Sequence, residues 1–158
     1  MRARALRSSR DCRAVPPLAE GDPARSWRVD ITGEEGIVAA RQQARDVAKS
    51  LGFGPVDQSR IATAVSELAR NVVRYATGGH GEVIISQLRS AGTGAGLEIV
   101  VRDEGPGIAD VNQALREGYT SGKGLGMGLP GTKRLMHEMT IDSAPGRGTT
   151  VTIRKWRR

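Results

Sequence analysis

The sequence predicts an α/β sandwich of two layers, with three main helices covering one face of a mixed, mostly antiparallel sheet. Three observations lead there. Two long segments, Glu34 to Leu51 and Asp57 to about Ala76, carry apolar residues at helical spacing. Shorter runs rich in branched residues, Glu82 to Leu88, Leu97 to Arg102, Thr140 to Ser143 and Thr149 to Lys155, are separated by Gly-containing connections. Aromatic residues make up only 3% of the chain, so the core between the layers must be aliphatic.

Residues 1 to 25 are rich in Arg, Ala, Pro and Ser without periodicity and read as a basic, disordered leader. Residues 26 to 158 form the folded domain, a length that suits one core. Trp27 to Ile31 alternates apolar and polar, as a first strand does. In the first helix Ile37, Val38, Ala44, Val47, Ala48 and Leu51 form the buried stripe, and Gly52 closes it. Asp57 reads as the N-cap of the second helix, whose stripe is Ile61, Ala64, Val65, Leu68, Val72 and Val73. The Gly-rich stretch from Ser90 to Gly96 makes the next two strands a hairpin. Asp110 to Arg116 reads as a short helix, and Glu117 to Gly126 has the character of a mobile loop. Leu129 to Met139 reads as the third main helix, with Pro130 tolerated in its first turn. Pro145-Gly146-Arg147-Gly148 joins the last two strands.

The net charge of +7 is largely terminal: Arg2, Arg4, Arg7, Arg10, Arg13 and Arg25 precede or fill the leader, and Arg154-Lys155-Trp156-Arg157-Arg158 ends the chain. With few aromatics to stack bases, solvated basic tails explain the charge better than a nucleic-acid partner. One cysteine, Cys12, excludes an internal disulfide framework. There is no apolar run long enough for a membrane span and no secretory h-region, so a cytoplasmic protein without a membrane partner is expected.

Three short motifs carry chemistry. Glu67 and Asn71 lie four residues apart and share a helix face off the apolar stripe. Asn71 offers a neutral oxygen suited to hydrated Mg²⁺, and Glu67 can orient or deprotonate a nucleophile. Alone, a solvated pair of Glu67 with Arg70 or Arg74 explains this face better. Asp103-Glu104-Gly105-Pro106-Gly107 places a carboxylate at a strand end on a sharp turn, where it can accept from a ligand amine; alone, an ordinary acidic turn is the simpler account. In Lys123-Gly124-Leu125-Gly126-Met127-Gly128, alternating glycines let backbone N–H groups approach phosphates before a helix N-terminus, and Lys123 adds a cation. Alone, a hinge loop explains these glycines equally well. The stretch lacks the Gly-Lys-Ser/Thr ending of a Walker A loop and the strand–turn–helix context of a dinucleotide fold.

Their order is more specific than any one of them. Glu67/Asn71, Asp103 to Gly107, Gly124 to Gly128 and Gly146-Arg147-Gly148-Thr149-Thr150 follow the succession of the N, G1, G2 and G3 boxes, and from about residue 28 to 156 the sequence resembles the GHKL superfamily, with its Bergerat ATP-binding fold. Glu67-Leu68-Ala69-Arg70-Asn71 and the run from Gly124 to Met136 resemble the RsbT-type switch-protein serine/threonine kinases in particular.

The resemblance implies ATP and Mg²⁺ as cofactors. It makes Asn71 the Mg²⁺ ligand and Glu67 the catalytic base. It gives Asp103 the adenine amine, with Gly105 and Gly107 letting the backbone pass the base. Lys123, Gly124, Leu125, Gly126, Met127 and Gly128 would wrap the phosphates, and Thr149 would join the adenine network through water. His137, read as lying on the third helix, is a surface residue and not a metal ligand.

The resemblance also implies partners: STAS-domain antagonist proteins of stressosome type as substrate, and a PP2C-type phosphatase switched on after release. The alternative within the same fold is an anti-sigma factor that sequesters a sigma subunit of RNA polymerase. Gly107 and Gly128-Leu129-Pro130-Gly131 favour the kinase, and Glu67 with Asn71 disfavours an inert ATP-binding scaffold.

Overall fold

The computed structural model describes residues 13–15, 25–90, 92, 94–116 and 128–158. The strands are β1 (Arg13–Val15), β2 (Ser26–Ile31), β3 (Gly81–Ser90), β4 (Gly94–Asp103), β5 (Glu138–Ser143) and β6 (Thr149–Trp156). The helices are α1 (Glu34–Ser50), α2 (Pro55–Tyr75), α3 (Val111–Ala114) and α4 (Gly128–Leu135), with a 3-10 turn at Thr77–Gly79. The sheet order is β1-β2-β3-β4-β6-β5. β1 falls inside the segment read from sequence as a leader and pairs with β2.

The sheet was expected to be mixed and mostly antiparallel; among the described residues every pairing is antiparallel. Two helices separate β2 from β3, so the chain returns to the end it left and runs back down. β4 and β5 do run parallel across the α4 crossover. β6 is inserted between them, antiparallel to each, so no parallel pair is in contact.

The core is the aliphatic layer between helices and sheet. α2 supplies Ile61, Ala64, Val65, Leu68 and Val72, all at or below 2% exposure. They pack on Val83, Ile85, Leu97, Ile99, Val101, Val151 and Ile153 from the strands. Each of the larger side chains contributes about 1.5–3 kcal/mol by leaving water. This burial fixes the rotation of α2, and with it the direction of Glu67 and Asn71.

Two element boundaries differ from expectation. α2 starts at Pro55 with Gly54 as its cap; proline's fixed φ opens the helix two residues before Asp57. Asp57 therefore sits in the first turn, bonded to Arg60 at 3.1 Å. α4 stops at Leu135, and the residues expected to continue it become β5. Met139 and Ile141 alternate inward and pair with Ile153 and Val151, a sheet contact that outweighs helical continuation. His137 thus lies between helix and strand, exposed as expected but not on a helix.

The outer face of the sheet is held by charge. Glu82 bridges Arg28 and Arg102, and Arg154 bridges Glu98 and Glu138. The Trp156 ring covers its cross-strand partner Gly96.

Candidate functional site

A cavity of about 370 Å³ opens between α2, the end of β4, α3 and the start of α4, within the size range of small-molecule sites. Leu68, Val72, Val101 and Val151 give it an apolar floor, and Ile108 and Leu129 add apolar wall. Glu67, Asn71, Asp103 and Thr149 also line it. The helix face, the strand end and the last strand singled out in the sequence therefore meet around one space. Gly107 and Gly128 line it too, while Lys123, Gly124, Leu125, Gly126 and Met127 lie outside the described residues.

Asp103 is fixed by its own turn: its Oδ1 accepts from Gly105 N at 2.7 Å. Gly105 is not a lining residue; it stands behind Asp103. A side chain there would meet Ala76 Cα at 2.8 Å and Tyr75 O at 3.0 Å. Gly107 has φ 78°, and a Cβ on it would run into the carbonyl of Ala144. At both glycines a side chain would run into neighbouring protein backbone. The β5–β6 turn docks here through Gly146 N, which donates to Pro106 O at 2.9 Å.

Thr149 is held by a hydroxyl relay that the sequence did not disclose. Ser143 Oγ lies 2.8 Å from Thr149 Oγ1, donates to Gly148 O at 3.1 Å and accepts from Ile108 N at 2.8 Å. Arg74, Tyr75, Asp110 and Gln113 were also not singled out as cavity residues, yet they line it. For Arg74 a signal existed: positions 67, 71 and 74 follow one helix face. Asp110 and Gln113 arrive through α3, whose N-cap is Asp110 accepting from Gln113 N at 3.0 Å.

Glu67 is not free in the cavity wall. Arg70 Nη1 donates to its Oε1 at 2.6 Å, with the two side chains 26% and 13% exposed. The pair expected of a solvated helix face is therefore present, but at the border of the cavity.

The residues suit a nucleotide. An apolar slot takes a flat base, and a carboxylate at its edge accepts an amine. Asn71, Arg74 and the start of α4 offer an amide, a cation and a helix N-terminus for phosphates. Among the described residues no group of three or more His, Cys, Asp or Glu side chains could hold a metal ion. A Mg²⁺ here would be carried by phosphate oxygens and the Asn71 amide, the kind of shared coordination Mg²⁺ favours. No helix among the described residues is long and apolar enough to cross a membrane.

Residues 56–158 match the family described as histidine kinase-, DNA gyrase B-, and HSP90-like ATPase. The chain is 51% identical over 130 residues to the serine/threonine-protein kinase RsbT of Bacillus subtilis (strain 168), covering 82% of this chain and 96% of that one. An anti-sigma F factor of Halalkalibacterium halodurans is 33% identical over 102 residues, 63% of this chain and 69% of its own. The solved RsbU and RsbW domains of a Mycobacterium tuberculosis protein superpose with a TM-score of 0.55 at 24% identity, covering 83% of this chain and 33% of that longer one; this likeness speaks for the fold. The chain belongs to the histidine kinase-, DNA gyrase B- and HSP90-like ATPase family and, within it, to the RsbT-type serine/threonine-protein kinases.

Proposed function

We propose that the chain transfers the γ-phosphoryl group of ATP to a serine or threonine of a STAS-domain antagonist protein, in a partner-switching pathway of stress or sigma regulation. The observation that carries this reading is that Glu67 and Asn71, one turn apart on α2, line the same cavity as Asp103 and Gly128. A base-binding edge, a phosphate end and a carboxylate for the acceptor thus share one space.

Asp103 accepts from the adenine amine, and Thr149, steadied by Ser143, closes that edge. Asn71 would hold a Mg²⁺, which when bound would neutralise phosphate charge. The N-terminus of α4 at Gly128 faces the phosphates. Glu67 accepts the proton of the incoming hydroxyl as its oxygen bonds to the γ-phosphorus, the bond to the β-phosphate oxygen breaks and ADP leaves. Catalysis is positioning plus charge stabilisation. After transfer, the kinase leaves its STAS partner and engages a PP2C-type phosphatase.

The test is incubation with Mg-ATP and a purified STAS-domain antagonist protein, following phosphate on the acceptor. Transfer is expected from the wild type, and Glu67→Ala is expected to bind ATP yet lose transfer. The anti-sigma F factor relatives support a second reading, in which the same fold sequesters a sigma factor. Absence of transfer together with tight sigma binding would favour that reading and overturn the first.

A further inference from the structure

We propose that Arg70 is a positioning residue for phosphoryl transfer, acting on the reaction only through Glu67. The assignment rests on the kinase reading above. Glu67 lines the cavity and Arg70 does not, so from the acceptor's side the guanidinium stands behind the carboxylate. It binds one oxygen, Oε1, at 2.6 Å, which leaves Oε2 for an incoming hydroxyl.

α2 supplies its own comparison. Arg60 and Asp57 form a second pair at the same i,i+3 spacing, at 3.1 Å, with side chains 52% and 31% exposed. That is an ordinary surface pair, of a kind that contributes little. The pair at the cavity is shorter and better shielded, at 26% and 13%, as expected of a charge-assisted bond with real directional hold.

The hold matters because of what Glu67 must do. A glutamate has three side-chain torsions, and an unrestrained carboxylate spends little of its time aligned with an acceptor oxygen. A guanidinium bonded to it from the same helix restricts that freedom before substrate arrives. Its N–H is held in the plane of the guanidinium, which gives the single bond a direction that a freely rotating lysine ammonium supplies only in part.

The experiment compares wild type, Arg70→Met, Arg70→Lys, Glu67→Gln and the Arg70→Met/Glu67→Gln double variant. Single-turnover transfer from radiolabelled ATP to the same STAS-domain protein gives the rate, a fluorescent ATP analogue gives nucleotide affinity, and thermal unfolding checks the fold. Arg70→Met is expected to lower the transfer rate about 10- to 100-fold, the scale of a small misplacement of a catalytic group, with nucleotide affinity held within about twofold. Arg70→Lys should recover part of the rate. In the Glu67→Gln background Arg70→Met should cost almost nothing, since the group it positions is already disabled.

An Arg70→Met protein with wild-type transfer, or one whose loss lies wholly in nucleotide affinity, would overturn the assignment. So would an equal loss in both backgrounds. Where Glu67→Gln has no measurable rate, the split between rate and affinity and the recovery by Arg70→Lys decide. No transfer by the wild type overturns the kinase reading and this assignment with it; wild-type transfer beside an unimpaired Arg70→Met overturns this assignment alone.

Discussion

Asp103, the last residue of β4, sits directly across from Thr149, the first residue of β6, in the register of the two strands. Backbone pairing thereby sets the two residues at neighbouring positions along one edge of the cavity, while Gly105 N and Ser143 Oγ orient the carboxylate and the hydroxyl. Sites built on strands are held more tightly than sites on loops.

Asp103→Asn tests the carboxylate. The amide keeps an oxygen for Gly105 N, so the turn should survive. On the proposed reading the charge-assisted bond to the nucleotide amine is lost, about 1.5–3 kcal/mol. ATP affinity should fall about 10- to 100-fold by calorimetry, with an unfolding midpoint close to wild type. Unchanged affinity would move the adenine edge elsewhere.

Gly107 and Gly146 form a controlled pair. Both have φ 78°, so an alanine at either carries the backbone strain of the left-handed region, of order 1 kcal/mol. They differ in space: a Cβ at Gly146 meets nothing within 4 Å, whereas one at Gly107 is driven into Ala144 O. Gly146→Ala should lose only the strain in urea unfolding. Gly107→Ala should lose several-fold more free energy, with ATP binding falling alongside, because the loop must lift off the β5–β6 turn.

Lys155 is 4% exposed. Its ammonium donates to the last carbonyl of α4, Leu135 O, at 2.8 Å, and lies 3.6 Å from Asp57 Oδ1 at the start of α2. A cation at a helix C-terminus is favoured by the dipole. Lys155→Met would leave that carbonyl without this donor and should destabilise the fold by about 1.5–3 kcal/mol in urea titration. A loss below about 0.5 kcal/mol would mean that α4 is held by its apolar contacts alone.

His137 sets an acid sensitivity. Its pKa is held below the ordinary imidazole range by partial desolvation first, then by Lys155 and Arg158, with Asp57 and Glu138 pulling upward. Trp156 N donates to Nδ1 at 2.9 Å, a bond the protonated ring cannot accept. The unfolded chain takes up the proton more readily than the folded one. This contribution to stability is therefore complete above about pH 6.5, falls on acidification through that value and levels off below the folded pKa. His137→Asn keeps an acceptor without titrating and should remove this component from unfolding free energies measured between pH 8 and 5. The carboxyl of Glu138, held low by its hydrogen bonds from Trp156 and Arg154, contributes at more acid pH. If His137→Asn leaves the slope intact, the proton is taken up elsewhere.

Much of the fold could be read from periodicity. The stripes of α1 and α2 are long enough for a helical period to be unmistakable, although Val38, read into the α1 stripe, is 47% exposed, and the strand runs are rich in branched residues. The end of α4 was not readable, because Leu135, Met136 and Met139 satisfy a helical spacing while Met139 and Ile141 satisfy a strand's. Only β6 decides between them. The meeting of Asp103, Thr149, Glu67 and Asn71 was legible from motif order. The Ser143 relay and the outer-face ion networks were not, since both depend on strand register. Arg70 was visible as a helix-spaced partner of Glu67, but its place behind the cavity wall required the rotation of α2.

One consequence follows from where β6 sits. The strand latest in sequence occupies the interior of the sheet, between two strands made earlier. During synthesis β4 and β5 emerge with a gap between them that is filled when β6 folds back on β5 as a hairpin, so the sheet closes only when residues 149–156 leave the ribosome. Thr149 reaches Asp103 in that same event. A nascent chain halted short of β6 would display two unpaired strand edges and no nucleotide pocket, a species prone to aggregation. Competence to bind nucleotide and completion of folding therefore arrive together, so nucleotide retention by stalled chains of increasing length would report folding directly.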